Sequence, residues 1–283
     1  MQKSIEVGNN KARTCPDHIK GTMTDSYYRQ LGDGRFESTI LAQGAWNPEE
    51  QHMAPVSGLI AHCLEQHEPR PDMRMARISY EILGMIPGGE FDITTTTIRP
   101  GRTIQLIQAE MSAGGRTAVR ANAWRMITSD TAEVAALEDE AMPGVEEAVH
   151  WDGMDEWPGG YIASLDIRVI PGHRRGRGQA WINSPYAMIE GLETTDFVHL
   201  LGLVDTANGV SSRVPPGPGN YMFPNLDLQM HLYRKPTGEW LGLDTKVTFA
   251  ADGVGLTSTV LNDVDGPFGR AEQILTVRQL PGS

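Results

Sequence analysis

The stretch FPNLDLQMHLYRKPTGEW, residues 223–240, places Leu226, Leu228, Met230 and Leu232 on one parity and Asp227, Gln229, His231 and Tyr233 on the other. A period of two is the signature of a strand with one buried face. A carboxylate opening the polar side of such a strand is costly where the sheet is partly buried, unless it is paired or hydrogen-bonded. Arg174, Arg175 and Arg177 in GHRRGRGQ are of the type that holds phosphate groups through charge-assisted bonds, although basic hairpin tips without that role are common. His52 precedes an apolar-periodic run and is placed to line a site, whereas His62, on the polar edge of that run, reads as structural. Several chemistries lack their motif. There is no G-x-S-x-G nucleophile elbow and no H-E-x-x-H, and GVGLTS has no third glycine and sits in a strand region. Cys15 and Cys63 have no ligand spacing for zinc and read as free thiols.

These residues need elements to hold them, and the chain repeats its plan. IPGGEFDITTTTIRPGRTIQLIQAEMSAGGRTAVRANAWRM lies against KPTGEWLGLDTKVTFAADGVGLTSTVLNDVDGPFGRAEQILTV, pairing Glu90 with Glu239 at a separation of 149 and Asn122 with Gln273 at 151. At the first separation Asp227 falls opposite Ile78, so one position is apolar in one copy and ionised in the other. Both copies read as antiparallel meanders with glycine-containing turns, SAGGR and DVDGPFG. One helix precedes each. In APVSGLIAHCLEQ the stripe is Val56, Leu59, Ile60, Cys63 and Leu64, with Pro55 in the first turn. In TTDFVHLLGLVDTANGV it is Phe197, Leu200, Leu201 and Val204, with Thr195 as N-cap and Asn208-Gly209 as the stop. The segment SRVPPGPGNYMFPN reads as a rigid Pro/Gly loop at a pocket mouth.

The chain has 283 residues, 40% of them hydrophobic, enough for two ordinary domains. The divisions expected are a tail over 1–25, a first domain over 26–128, an acidic linker over 129–160 and a second domain over 161–283. The formal charge of −12 argues against a nucleic-acid binder, and it concentrates in the linker, which carries acidic residues from Asp130 to Glu156 without a Lys or Arg. No apolar run is long enough for a membrane span, and the N-terminus has no apolar signal core, so a cytoplasmic protein is expected.

The repeat, with NLDLQMHLYRKPTGEWLGLD, DGVGLTSTVLND, GPFGRAEQ and the helix signature WNPEEQHMAPVSGLIAHCLE, resembles the double-hotdog acyl-CoA thioesterases over about residues 36–280. That resemblance implies an α+β fold of two tandem antiparallel sheets, each wrapped around a central helix. It implies hydrolysis of fatty acyl-CoA by directly attacking water without metal or other cofactor, and it leaves a homodimer or higher homo-oligomer open. Carried over by motif, Asp227 would be the general base, with Thr248 and Gln273 fixing the water. The developing oxyanion would lie at a helix start, either Ala54 to Ser57 or Thr195 to Phe197. His52, Ser57, Arg174, Arg175 and Arg177 would bind substrate, the arginines through the phosphates of coenzyme A. Two other readings are open: a hotdog hydratase or dehydratase using His52 or His199, and an acyl-CoA or lipid binder without catalysis.

Overall fold

A computed structural model of the chain describes residues 25–215 and 219–280. Residues 1–24 of the expected tail, with Cys15, and residues 216–218 of the Pro/Gly loop lie outside the described residues. The first half contains β1 (Ser26–Gly32), β2 (Arg35–Ser38), helix α1 (Met53–Gln66), β3 (Met73–Ile82), β4 (Glu90–Arg99), β5 (Ile104–Ala113) and β6 (Arg116–Ile127). The acidic stretch carries β7 (Val149–His150), and from its end onward come α2 (Gly160–Ala163), β8 (Asp166–Val169), β9 (Arg177–Asn183), β10 (Ala187–Ile189), α3 (Asp196–Leu201) and α4 (Ala207–Val210). The chain ends with β11 (Tyr221–Met222), β12 (Asp227–Leu232), β13 (Leu241–Phe249), β14 (Val254–Asp263), β15 (Gly266–Thr276) and β16 (Arg278–Gln279).

Fourteen strands form one sheet in the order β10-β1-β2-β4-β5-β6-β3-β12-β15-β14-β13-β9-β8-β7. The halves join side by side through antiparallel pairing of β3 with β12, where Met230 faces Ile78 across the seam. The pairing of β1 with β10 is parallel, so an edge strand from the second half extends the sheet of the first. β11 and β16 form a separate two-stranded ribbon. The hairpin turns follow their sequence: Gly114, Gly115 and Gly266 take positive φ, which costs a residue without Cβ nothing.

The stripe expected on α1 is buried at Val56, Leu59, Ile60 and Leu64, with Cys63 partly so, and the helix packs on β4, β5 and α3. Its crossing with α3 depends on Gly58, where a Cβ would come within 2.8 Å of the Gly202 Cα and 3.0 Å of the Val198 carbonyl. The second helix departs from expectation. Thr195 does cap it, accepting from the Val198 amide at 3.3 Å. It then breaks after Leu201, passes through a 3₁₀ turn at Val204–Thr206, and resumes as α4 through Asn208 and Gly209 to Val210 instead of stopping at them. Among the described residues no helix is long and apolar enough to cross a membrane, and no group of three or more candidate ligands could hold a metal ion.

Candidate active site

The break in the second helix presents a carboxylate to the interior. Asp205, in the 3₁₀ turn, is 6% exposed, and its Oδ1 accepts from Asn225 Nδ2 at 2.7 Å and from Gln273 Nε2 at 2.8 Å. Burial raises its pKa to about 7, against the two amide bonds, which favour the ionised form; the negative charge of Asp227 adds to the rise. Oδ2 lies 3.7 Å from Nδ1 of His52, the residue that caps α1. That ring nitrogen accepts from the Ala54 amide at 3.1 Å, so the proton of the neutral ring sits on Nε2. Burial pushes the His52 pKa down to about 3, so the two groups are not an ion pair at neutral pH.

Around Asp205 is a cavity of about 50 Å³, space for one or two waters, lined by Trp46, His52, Met154, Trp157, Phe223 and Asn225 among others. Trp46, Trp157 and Phe223 pack edge to face, with ring centroids 5.0–5.7 Å apart. Met154 and Trp157 come from the acidic stretch, which therefore does more than connect the halves: both side chains are buried. Behind the cavity Asn208 donates to the Phe223 carbonyl at 3.0 Å and accepts from Thr257 Oγ1 at 3.3 Å. Tyr161 stacks on His52 at 4.3 Å and its hydroxyl meets that of Thr206 at 2.6 Å.

Of the three residues carried over by motif, Gln273 is brought into this cluster and the other two are not. Register explains the split. From Gln229↔Glu272 the ladder runs regularly, but at its start Asn225 bridges Leu275, one residue out of step. Asp227 lies on the outer face by the ordinary alternation of β12, whose Leu228, Met230 and Leu232 are buried, and the irregularity turns Asn225 inward and leaves Leu226 49% exposed. There Asp227 Oδ1 accepts from the Ile274 amide at 2.7 Å and Oδ2 from Gln229 Nε2 at 3.2 Å. Thr248 is exposed, opposite Leu256, on the face away from buried Thr245 and Val247. The repeat separations of 149 and 151 are odd and join opposite faces: Ile78 points inward where Asp227 points outward. Asn122 lies on the opposite face from buried Ala121 and Ala123 and accepts from Gln108 at 3.0 Å, whereas Gln273 is buried.

The substrate-binding expectations also divide. His52 lines the cavity. Ser57 is fully buried at the helix crossing, its Oγ 2.7 Å from the Ala54 carbonyl and 2.9 Å from that of Leu201, and so cannot meet a ligand. Arg174, Arg175 and Arg177 lie around the β8–β9 hairpin. Arg175 pairs with Glu156 at 3.1 Å and Arg177 with Asp244, while Arg174 bonds the Arg175 carbonyl at 3.2 Å. His199 is held by Asn183 at 3.2 Å and the Glu239 carbonyl at 3.0 Å, away from Asp205's contacts. Of the two helix starts, that of α1 adjoins the cavity. The sequence signal for Asp205 is weak: from Phe197 to Val210 it is the one carboxylate, but it stands among the polar His199, Thr206 and Asn208.

Residues 42–126 match the acyl-CoA thioesterase N-terminal domain family, and residues 136–277 match the acyl-CoA thioesterase C-terminal domain family. Comparison with curated proteins gives no match. Among solved structures, a protein of unknown function with a hot dog fold from Alicyclobacillus acidocaldarius superposes with a TM-score of 0.70 at 12% identity, covering 90% of this chain and 97% of that one. A putative thioesterase II from Thermobifida fusca gives 0.64 at 16% identity, with 90% and 96% covered. An acyl-CoA thioesterase II from Mycobacterium marinum gives 0.60 at 15%, with 89% and 96% covered. With both domain families matched in order along most of its length, the chain belongs to the acyl-CoA thioesterase family.

Proposed function

We propose that the protein is a double-hotdog thioesterase that hydrolyses fatty acyl-CoA to the free acid and coenzyme A, with Asp205 as general base. The observation that carries this reading is a buried carboxylate of pKa about 7 beside a water-sized cavity and the start of α1. Proton transfer is most effective when the base titrates near the working pH. Asn225 and Gln273 occupy Oδ1, which leaves Oδ2 free for a water. As Oδ2 takes a proton, the water oxygen bonds to the thioester carbon and the carbonyl oxygen becomes an oxyanion. Amide hydrogens at the start of α1 are the donors proposed for that charge. Collapse breaks the C–S bond, and the departing thiolate takes the proton back from Asp205, leaving a carboxylic acid and a thiol. Asp227 and Thr248, on the outer face, hold no water and take no proton in this scheme; Asp227 acts only through its charge, which adds to the rise in the Asp205 pKa.

One observation favours a lyase instead: His52 and Asp205, one from each half, approach to 3.7 Å. The same geometry weighs against it. A histidine whose Nδ1 is taken by a backbone amide and whose pKa is about 3 is a poor proton acceptor. Incubation with saturated acyl-CoA and with crotonyl-CoA separates the two. Hydrolysis releases a thiol from both, whereas a hydratase consumes the crotonyl double bond and leaves the thioester intact. Absence of thiol release across short, medium and long acyl chains would refute the proposed reaction.

A further inference from the structure

At the other end of α1, about 20 Å along the helix from His52, lies a larger cleft of about 530 Å³. This is within the size range of small-ligand sites, about 300–1,000 Å³. Met73, Met75 and Phe197 are its apolar lining, and Arg70, Arg74, Arg125 and Lys235 line it as well. In a chain of formal charge −12 such a concentration of cations calls for a reason. Arg70 is neutralised by Asp72, through bonds of 2.9 and 2.7 Å. Among the described residues, Arg74, Arg125 and Lys235 form no ion pair within 4.0 Å.

Their polar contacts are to neutral oxygens. Arg74 donates to the carbonyls of Leu232 and Tyr233 at 3.0 and 2.9 Å. Arg125, 3% exposed, donates to those of Leu64, His67 and Glu68 at 2.8–2.9 Å and to Gln105 at 3.3 Å. Glu65 is the one carboxylate lining the cleft; it is bonded to Thr195 at 3.1 Å, and burial raises its pKa. Arg74, Arg125 and Lys235 thus line the cleft beside its apolar side chains, with Glu65 the one carboxylate in the lining and Glu68 near Arg125. Inorganic phosphate would satisfy the cations and leave the apolar side chains wet, and a neutral alkane would do the reverse.

We propose that this cleft binds an amphipathic carboxylate of the fatty-acid class, its head group on Lys235 and Arg74 and its alkyl chain along Met73, Met75 and Phe197. The site is separate from Asp205 and does not depend on the hydrolytic reading, since binding is measured without turnover. Calorimetric titration of the full chain with decanoate should show saturable binding. Lys235→Glu, at an exposed position, should weaken it at least tenfold with an unchanged melting temperature, and Arg74→Met should weaken it as well. Trp46→Ala, in the Asp205 cavity, should leave it unchanged, and decanol and inorganic phosphate should each bind at least tenfold more weakly than decanoate. No saturable binding, indifference to Lys235→Glu, loss with Trp46→Ala, or phosphate binding as tight as decanoate would each overturn the proposal.

Discussion

In the first half the inward side chains of β4, β5 and β6 include Phe91, Ile93, Ile107, Ala109, Met111, Val119, Ala121 and Ala123. In the second half the corresponding strands bury Thr245, Thr257, Thr259 and Gln273 among their apolar residues. The helices differ in the same sense: α1 runs unbroken for 14 residues without a carboxylate in its first turn, while its counterpart breaks so that a 3₁₀ turn can present Asp205. Buried polar groups are tolerated when they are bonded to one another. Here they are, through Thr245 to Thr259 at 3.1 Å, Thr257 to Asn208 at 3.3 Å, and Gln273 to Asp205 at 2.8 Å. Both copies bury a charged side chain, but the first, Arg125, is held on the carbonyls of Leu64, His67 and Glu68 at the end of α1, whereas the second, Asp205, is presented to a cavity.

The largest effect expected of that asymmetry is on turnover. Asp205→Asn should lower kcat for thiol release by about 10²- to 10⁴-fold, with KM little changed. The same substitution should sharpen the comparison in stability. The folded-state pKa of Asp205, about 7, lies above its ordinary value of 3.8, so the unfolded chain loses this proton first as pH rises. Stability from this group is intact below about pH 4 and falls through pH 7. Thermal melts should therefore show Asp205→Asn gaining on the wild type by on the order of a few kcal/mol between pH 5 and pH 8.

Smaller effects follow from the parts that hold the carboxylate. Gly58→Ala, which forces α1 from α3, should cost about 2 kcal/mol, read as a lower melting temperature. Gln273→Ala or Asn225→Ala removes an amide that favours the ionised form, so each should raise the pKa of Asp205. Turnover at pH 7 should then fall roughly tenfold and recover in part at higher pH. Asp227→Asn and Thr248→Ala, on the outer face, should change kcat by less than about threefold, within the usual range for surface substitutions.

Much of this arrangement was legible in the chain. Apolar spacing located α1 and the start of α3, Thr195 announced its cap, and the glycines of SAGGR and DVDGPFG marked two hairpins. The side on which a residue sits was not legible at the start of β12. Strand parity has a period of two and sets Asp227 on the polar side with Gln229 and His231, but one irregular residue near Leu226 turns Asn225 inward, and no local propensity records it. Asp205 was hidden differently. Its place after the apolar stripe reads as the polar edge of a continuous helix, and only the break after Leu201 turns it toward Gln273.

The most direct test is the pH dependence of kcat for thioester hydrolysis in the wild type, Asp205→Asn and Asp227→Asn. The wild type should show a rising limb with a midpoint near pH 7, Asp227→Asn should keep the limb with its midpoint moved slightly down, and Asp205→Asn should lose it along with most of its rate. A limb that survives in Asp205→Asn and vanishes in Asp227→Asn would return the base to the outer face of the sheet and contradict the assignment.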